Sequence, residues 1–142
     1  MSVRVVPSWP PLDHLQRLSD GTGVFEHALY AVPRREHGYC VDDVARALVV
    51  VCREPNATAE LARMAEIYLA FVVAAVKADG SCHNRRSADG EWTDEPSFGD
   101  WWGRALWGLG VASVHAPTTS MRARALAAWV DSLQSVWCVT TR

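Results

Sequence analysis

Two adjacent aspartates, Asp42 and Asp43, open an apolar run in HGYCVDDVARALVVV, residues 37–51. Carboxyl groups at a helix N-terminus can cap the helix and suit its positive end, a contribution of about 1 kcal/mol. They can also do chemistry, because glycosidic cleavage needs two carboxyl groups flanking the bond, as acid plus base or nucleophile. His37 and Tyr39 sit on the loop just before the helix, where a ligand at its mouth would meet them. The pattern then recurs. Asp42-x-x-x-Arg46-Ala47-Leu48 matches Asp100-x-x-x-Arg104-Ala105-Leu106, 58 positions on, and Asp20-Gly21-Thr22 matches Asp79-Gly80-Ser81, 59 positions on.

Repetition separates the two readings. Asp42 and Asp100 read first as N-caps, each with an arginine four residues later on the same helix face, Arg46 and Arg104. Asp43 has no counterpart, since Trp101 stands in its place, so it is the better candidate for chemistry, with Asp100 or Glu95 as its partner carboxyl. The candidate catalytic residues are therefore Asp43, Asp100 and Asp42. Candidate substrate contacts are His37, Tyr39, Asn84, Trp101, Trp102, Arg46 and Arg104. Each also has a structural role open to it: His37 and Tyr39 as loop packing, Asn84, Glu26 and His27 as loop-ordering hydrogen bonders, Trp107 as core. His37-x-x-Cys40 and Cys82-His83 are ligand types for zinc, but their spacing matches no familiar zinc pattern and adjacent ligands strain a tetrahedral site. No metal and no cofactor is assigned.

These residues need helices to hold them. Apolar spacing predicts short helices over Leu12–Leu18 and in FEHALYA, then Asp42–Arg53, Thr58–Lys77, Asp100–Val114, and a last one from Thr118 or Thr119 to about Trp137. The helices opening at Asp42 and Asp100 are apolar all round and should be buried on all sides, whereas their successors are amphipathic. Residues 1–11 read as an irregular arm and 79–99 as a polar loop. Only short extended pieces are expected in the loops, so the fold class is all-α. The repeat units run over about 20–78 and 79–137 within one domain, 1–142. Each is a helical hairpin, of the kind that buries itself against neighbours in a solenoid or ring. A ring of six would need roughly 350 residues, so about two and a half hairpins form an incomplete one. The closing SVWCVTTR leaves Trp137 and Val139 unmatched, which suggests an exposed edge that takes a second copy or another protein.

Composition narrows the function classes. The 142 residues carry 21% charged side chains and a net charge of −2, which offers no electrostatic reason for a nucleic-acid partner. No run is long and apolar enough for a membrane span, and the opening MSVRVVPSWPP lacks the apolar centre of a signal peptide. Four dispersed cysteines are expected to be reduced thiols in a cytoplasmic protein. Seven tryptophans can fill a core or serve as flat platforms for sugar rings.

At these motifs the sequence resembles the six-hairpin (α/α)-toroid domains of bacterial carbohydrate-active proteins, nearest to a group associated with glycosyltransferases. That group shows D-x-T-G-[IV]-F-x-H-A-x-Y, matched from Asp20 to Tyr30, and H-G-Y-x-x-D-D-x-A-R-A-L, matched from His37 to Leu48. Its N-x-x-x-x-D-x-x-W is matched at Asn84, Asp89 and Trp92, and its D-S-H-G-R-A-L-W-x-L-G from Asp100 to Gly110. Two departures stand out: Trp101-Trp102 replace a Ser-His pair, and Cys82 and Arg85 replace aromatics around Asn84. The resemblance covers roughly residues 12–115. It implies an incomplete (α/α) toroid that binds or processes a saccharide or polysaccharide precursor at its loop face, by glycoside hydrolase-like acid/base chemistry if it is an enzyme, with a glycosyltransferase as a candidate partner. The alternative is a non-catalytic helical-repeat module that associates through its open edge.

Overall fold

A computed structural model describes residues 11–139, with side chains described through Gln134. The expected arm over residues 1–11 falls almost wholly outside these, as do the side chains of Trp137, Cys138 and Val139 at the expected edge. After α1 (Asp13–Arg17) come strands β1 (Ala28–Leu29) and β2 (Val32–Pro33), a 3-10 turn (Arg35–His37) and β3 (Tyr39–Cys40). Then follow α2 (Val41–Arg53), α3 (Ala59–Ala75), β4 (Arg85–Arg86), α4 (Asp100–His115) and α5 (Thr119–Val139).

The all-α expectation is overturned, and with it the plain stack of toroid hairpins. Two antiparallel two-stranded sheets, β1–β2 and β3–β4, make the chain mixed α/β, weighted towards helix. FEHALYA is not helical. Phe25 bridges Tyr39, Ala28 pairs with Pro33, and Leu29 with Val32, around a turn in which Tyr30 takes φ 55°. The β3–β4 sheet joins the two loops, with Tyr39 opposite Arg86 and Cys40 opposite Arg85. Two-residue strands paired across such a separation leave no alternating pattern to read.

The hairpins themselves follow the sequence closely. Thr58 caps α3 by accepting from the Leu61 N–H at 3.2 Å, and Thr118 caps α5 by accepting from Met121 N–H at 3.1 Å. The D-G-[ST] repeat is a turn made twice. Asp20 Oδ1 accepts from the N–H of Thr22 at 2.8 Å, and Asp79 Oδ1 from that of Ser81 at 3.0 Å. One continuous core gathers Val44, Leu48, Met64, Tyr68, Leu69, Phe71, Val72, Leu109 and Met121 between α2, α3, α4 and α5.

The two helices that open the repeats, α2 and α4, differ in burial. α2 buries Val41, Val44, Ala45, Ala47, Leu48, Val49, Val51 and Cys52. α4 buries only Ala105, Gly108, Leu109 and Ala112, and leaves Trp107 and Val114 exposed. The expectation that α4 is buried on all sides is therefore corrected: α4 covers one face of α2, and among the described residues nothing covers α4 in the same way. Close approach of the pair rests on Gly108, where an added Cβ would lie 3.2 Å from the Ala45 carbonyl oxygen.

Candidate functional site

The N-terminal ends of α2 and α4 open side by side. Neither aspartate caps its helix by a side-chain bond, so the N-cap expectation fails: the cap positions are Cys40 and Gly99. The first N–H of α2 is instead met by the other repeat, Val41 N–H donating to the Asn84 carbonyl at 2.8 Å. This is the structural duty of Asn84, whose Oδ1 also accepts from the Cys40 thiol at 3.1 Å. Asp94 fixes the loop from below, accepting from the N–H of Asn84 at 2.6 Å and of Arg85 at 3.1 Å.

Asp42 joins the repeats rather than serving one of them. It accepts from Arg46 Nη2 at 2.6 Å, the expected i+4 pair, and from Arg104 Nε at 3.1 Å. Arg104 thus turns to the other repeat's aspartate, and Asp100 is left without a hydrogen-bond or ion-pair partner among the described residues. Asp43, also 3.6 Å from Arg46, is half-buried. Burial pushes its carboxyl above the ordinary range, Asp42 and Glu26 add to the rise, and Arg46 opposes it. Glu26 in turn is nearly buried and forms an ion pair with Arg85.

The structure brings some of the predicted site residues together and leaves others apart. Asp42, Asp43, Arg46 and Arg104 come together as one charged mouth. Beside it Asp100, Trp102 and Arg104 line an open groove of about 550 Å³ with Phe98, Gly99, Gly103 and Trp107. Phe98 and Trp102 meet edge to face, with ring centroids 5.6 Å apart, and give the groove an aromatic wall. Trp102 Nε1 is anchored to the Gly80 carbonyl at 3.0 Å, and Trp101 Nε1 to that of Cys82 at 2.8 Å, so both indoles tie α4 to its loop. His37 is exposed at the end of the 3-10 turn, its ring 4.5 Å from that of His27. Tyr39 is not at the mouth. It is 1% exposed, stacked on Phe25, with its hydroxyl donating to Asp20 Oδ2 at 2.7 Å. Burial, reinforced by that bond, pushes it up to about 12.

The four residues weighed for zinc point to separate partners. Cys40 faces Asn84, Cys82 donates to the carbonyl of His83, and His83 stacks on Trp92 with Nδ1 2.8 Å from the Asp94 carbonyl. Burial pushes the Cys82 thiol up to about 12 and the Cys52 thiol up to about 11, far from thiolate reactivity. Among the described residues, no group of three or more His, Cys, Asp and Glu side chains could hold a metal ion.

Sequence reasoning missed the Glu26–Arg85 pair, Asp94 and Phe98. A signal for the first was present: Glu26 and Arg85 are 59 positions apart, the spacing of the two D-G turns, so opposite charges occupy equivalent loop positions. Nothing in the local sequence marked Asp94 or Phe98. No helix among the described residues is long and apolar enough to cross a membrane. No protein-family model matches this chain, and no curated protein matches it.

Proposed function

We propose that this chain is a carbohydrate-active domain, related to the glycosyltransferase-associated proteins it resembles, that acts in the cytoplasm and binds a saccharide across the mouth of α2 and α4. The observation that carries the reading is Asp43: a half-buried carboxyl held towards its neutral form, beside a second, ion-paired carboxylate, Glu26, at an open mouth. Two carboxyl groups in contrasting surroundings are what acid/base work on a glycosidic bond requires. In this reading Asp43 gives a proton to the glycosidic oxygen as its bond to the anomeric carbon breaks, and Glu26 takes a proton from the water that attacks that carbon. Phe98 and Trp102, set edge to face, offer sugar rings an aromatic wall, and Asp100 and Arg104 take hydroxyls.

The test is a panel of manno- and gluco-oligosaccharides, read by thermal unfolding and tryptophan fluorescence. One class should raise the melting temperature, Trp102→Ala should abolish that rise, and Asp43→Asn should keep binding while removing any bond cleavage. Indifference to every sugar would sink the reading. A second reading, a non-catalytic module whose partner is another copy or a glycosyltransferase, is favoured by the exposed apolar face of α4, where Trp107 is 46% and Val114 66% exposed.

A further inference from the structure

The α2–α4 contact is a template that the molecule uses once and leaves open at both ends. On α2 the positions that receive α4 include Asp42 and Ala45. Asp42 accepts from Arg104, and Ala45 lies under Gly108. Moved on by the 58-residue repeat, those positions become Asp100 and Gly103 on α4, on the side that also carries Trp107. Asp100 lacks a partner and Gly103 has no atom within 4 Å of an added Cβ, so these two positions are vacant among the described residues; Trp107, one turn on, is exposed, and Gly110 beyond it is covered by Trp129. This side of α4 continues into a groove of about 550 Å³ lined by Trp107, Gly110, Val111, Val114, Trp129 and Leu133.

The covering face repeats as well. α4 covers α2 with Arg104 and Gly108, whose counterparts on α2 are Arg46 and Val50, and both of these are exposed. We propose that a second copy of this chain docks head to tail, its Arg46 reaching Asp100 as Arg104 reaches Asp42, and its Val50 set against Gly103 and Trp107 at a wider helix spacing than the internal pair. Charge is complementary, arginine to an unpaired aspartate. The spacing differs: in the internal contact a glycine lies over Ala45 with no room for a Cβ, and in the docked one a valine lies over the open Gly103, so the docked helices stand farther apart. Such a contact is heterologous, so each copy keeps one free face of each kind and association continues with concentration. The inference rests on the interaction reading and not on the saccharide one.

The experiment is light scattering and sedimentation of the full chain without any sugar, as wild type, Val50→Glu and Gly103→Glu. Both substitutions lie at positions open in the single chain, and far-UV circular dichroism confirms that each variant folds. A variant that loses its helical signal is replaced by Val50→Ser or Gly103→Gln. The wild type should exceed the 15.7 kDa of one chain and grow with concentration, whereas each variant should stay at 15.7 kDa. Mixing the two variants should restore a species of two chains, because one keeps an intact α4 face and the other an intact α2 face. A wild type that stays at one chain mass overturns the proposal, as do variants that associate like the wild type. A mixture that remains monomeric overturns the head-to-tail geometry. Sugar binding by a chain that stays monomeric would overturn the docking and leave the saccharide reading standing.

Discussion

Replacing Gly38 by alanine should damage this fold severely for the addition of one methyl group. Gly38 adopts φ 66°, ψ −141°, a region that side-chain-bearing residues avoid, and which costs them about 1–3 kcal/mol. A Cβ there would lie 2.3 Å from the Arg86 carbonyl oxygen and 3.1 Å from the Ser87 Cα. Both neighbours are backbone of the loop that β4 anchors, so neither can swing aside as a side-chain tip would. Parting β3 from β4 to make room adds overpacking of about 1–3 kcal/mol. The sum, about 2–6 kcal/mol, is a large share of the roughly 5–15 kcal/mol that stabilises a domain. For a chain of this length it should lower the melting temperature by roughly 7–20 °C. Thermal unfolding followed by circular dichroism reads this directly. Gly21→Ala, where an added Cβ meets nothing within 4 Å, is the control and should change stability by less than about 1 kcal/mol. A Gly38→Ala protein that melts within a degree or two of wild type would refute the reasoning, because the left-handed backbone and the contact with β4 would both have to be absent.

Three further outcomes follow from named contacts. Tyr39→Phe removes the bond to Asp20 and should cost about 1–2 kcal/mol by urea unfolding, with secondary structure unchanged. Asp43→Asn should stabilise the fold near neutral pH. Burial raises the folded carboxyl above its unfolded value, so the folded state binds the extra proton; the cost of ionisation is absent below the unfolded value and is incurred as pH rises through the folded one. Comparing melting temperatures at pH 7 and near pH 3 checks this, and an equal change at both would exclude the burial explanation. Thr58→Ala and Thr118→Ala each delete a side-chain cap and should each cost about 1 kcal/mol, close to additively, in the same unfolding assay.

The helices could be read from the sequence because their information is local. Thr58, the i, i+3, i+4 spacing through Met64, Tyr68 and Val72, and the break at Ala116-Pro117 each act within a few residues. The sheets could not. Cys40 pairs with Arg85 and Phe25 bridges Tyr39 because tertiary packing brings the loops together, and two residues of extended chain leave no periodicity. FEHALYA has helical composition, yet the buried Phe25 stacked on Tyr39, with Pro33 downstream, holds it as a hairpin. The candidate site divides in the same way. The i+4 pair Asp42–Arg46 was visible, whereas Arg104 reaching Asp42 in place of Asp100 depends on how two helices cross.

That last contact explains why two nearly identical helix openings have different fates. D-x-x-x-R-A-L specifies a helix with an acid at its first turn and an arginine one turn on, but not which acid the arginine meets. In α4 the arginine meets the preceding repeat's acid, since Gly108 lets the helices approach closely enough for Arg104 to cross. In α2 no preceding repeat is present among the described residues, and Arg46 folds back on its own Asp42 and Asp43. Charge pairing therefore runs in one direction along the repeat, leaving an exposed arginine at one end and an unpaired aspartate at the other. A sequence repeat thus becomes a directional surface, and the same displacement that leaves Asp100 unpaired sets it beside the aromatic wall of Phe98 and Trp102.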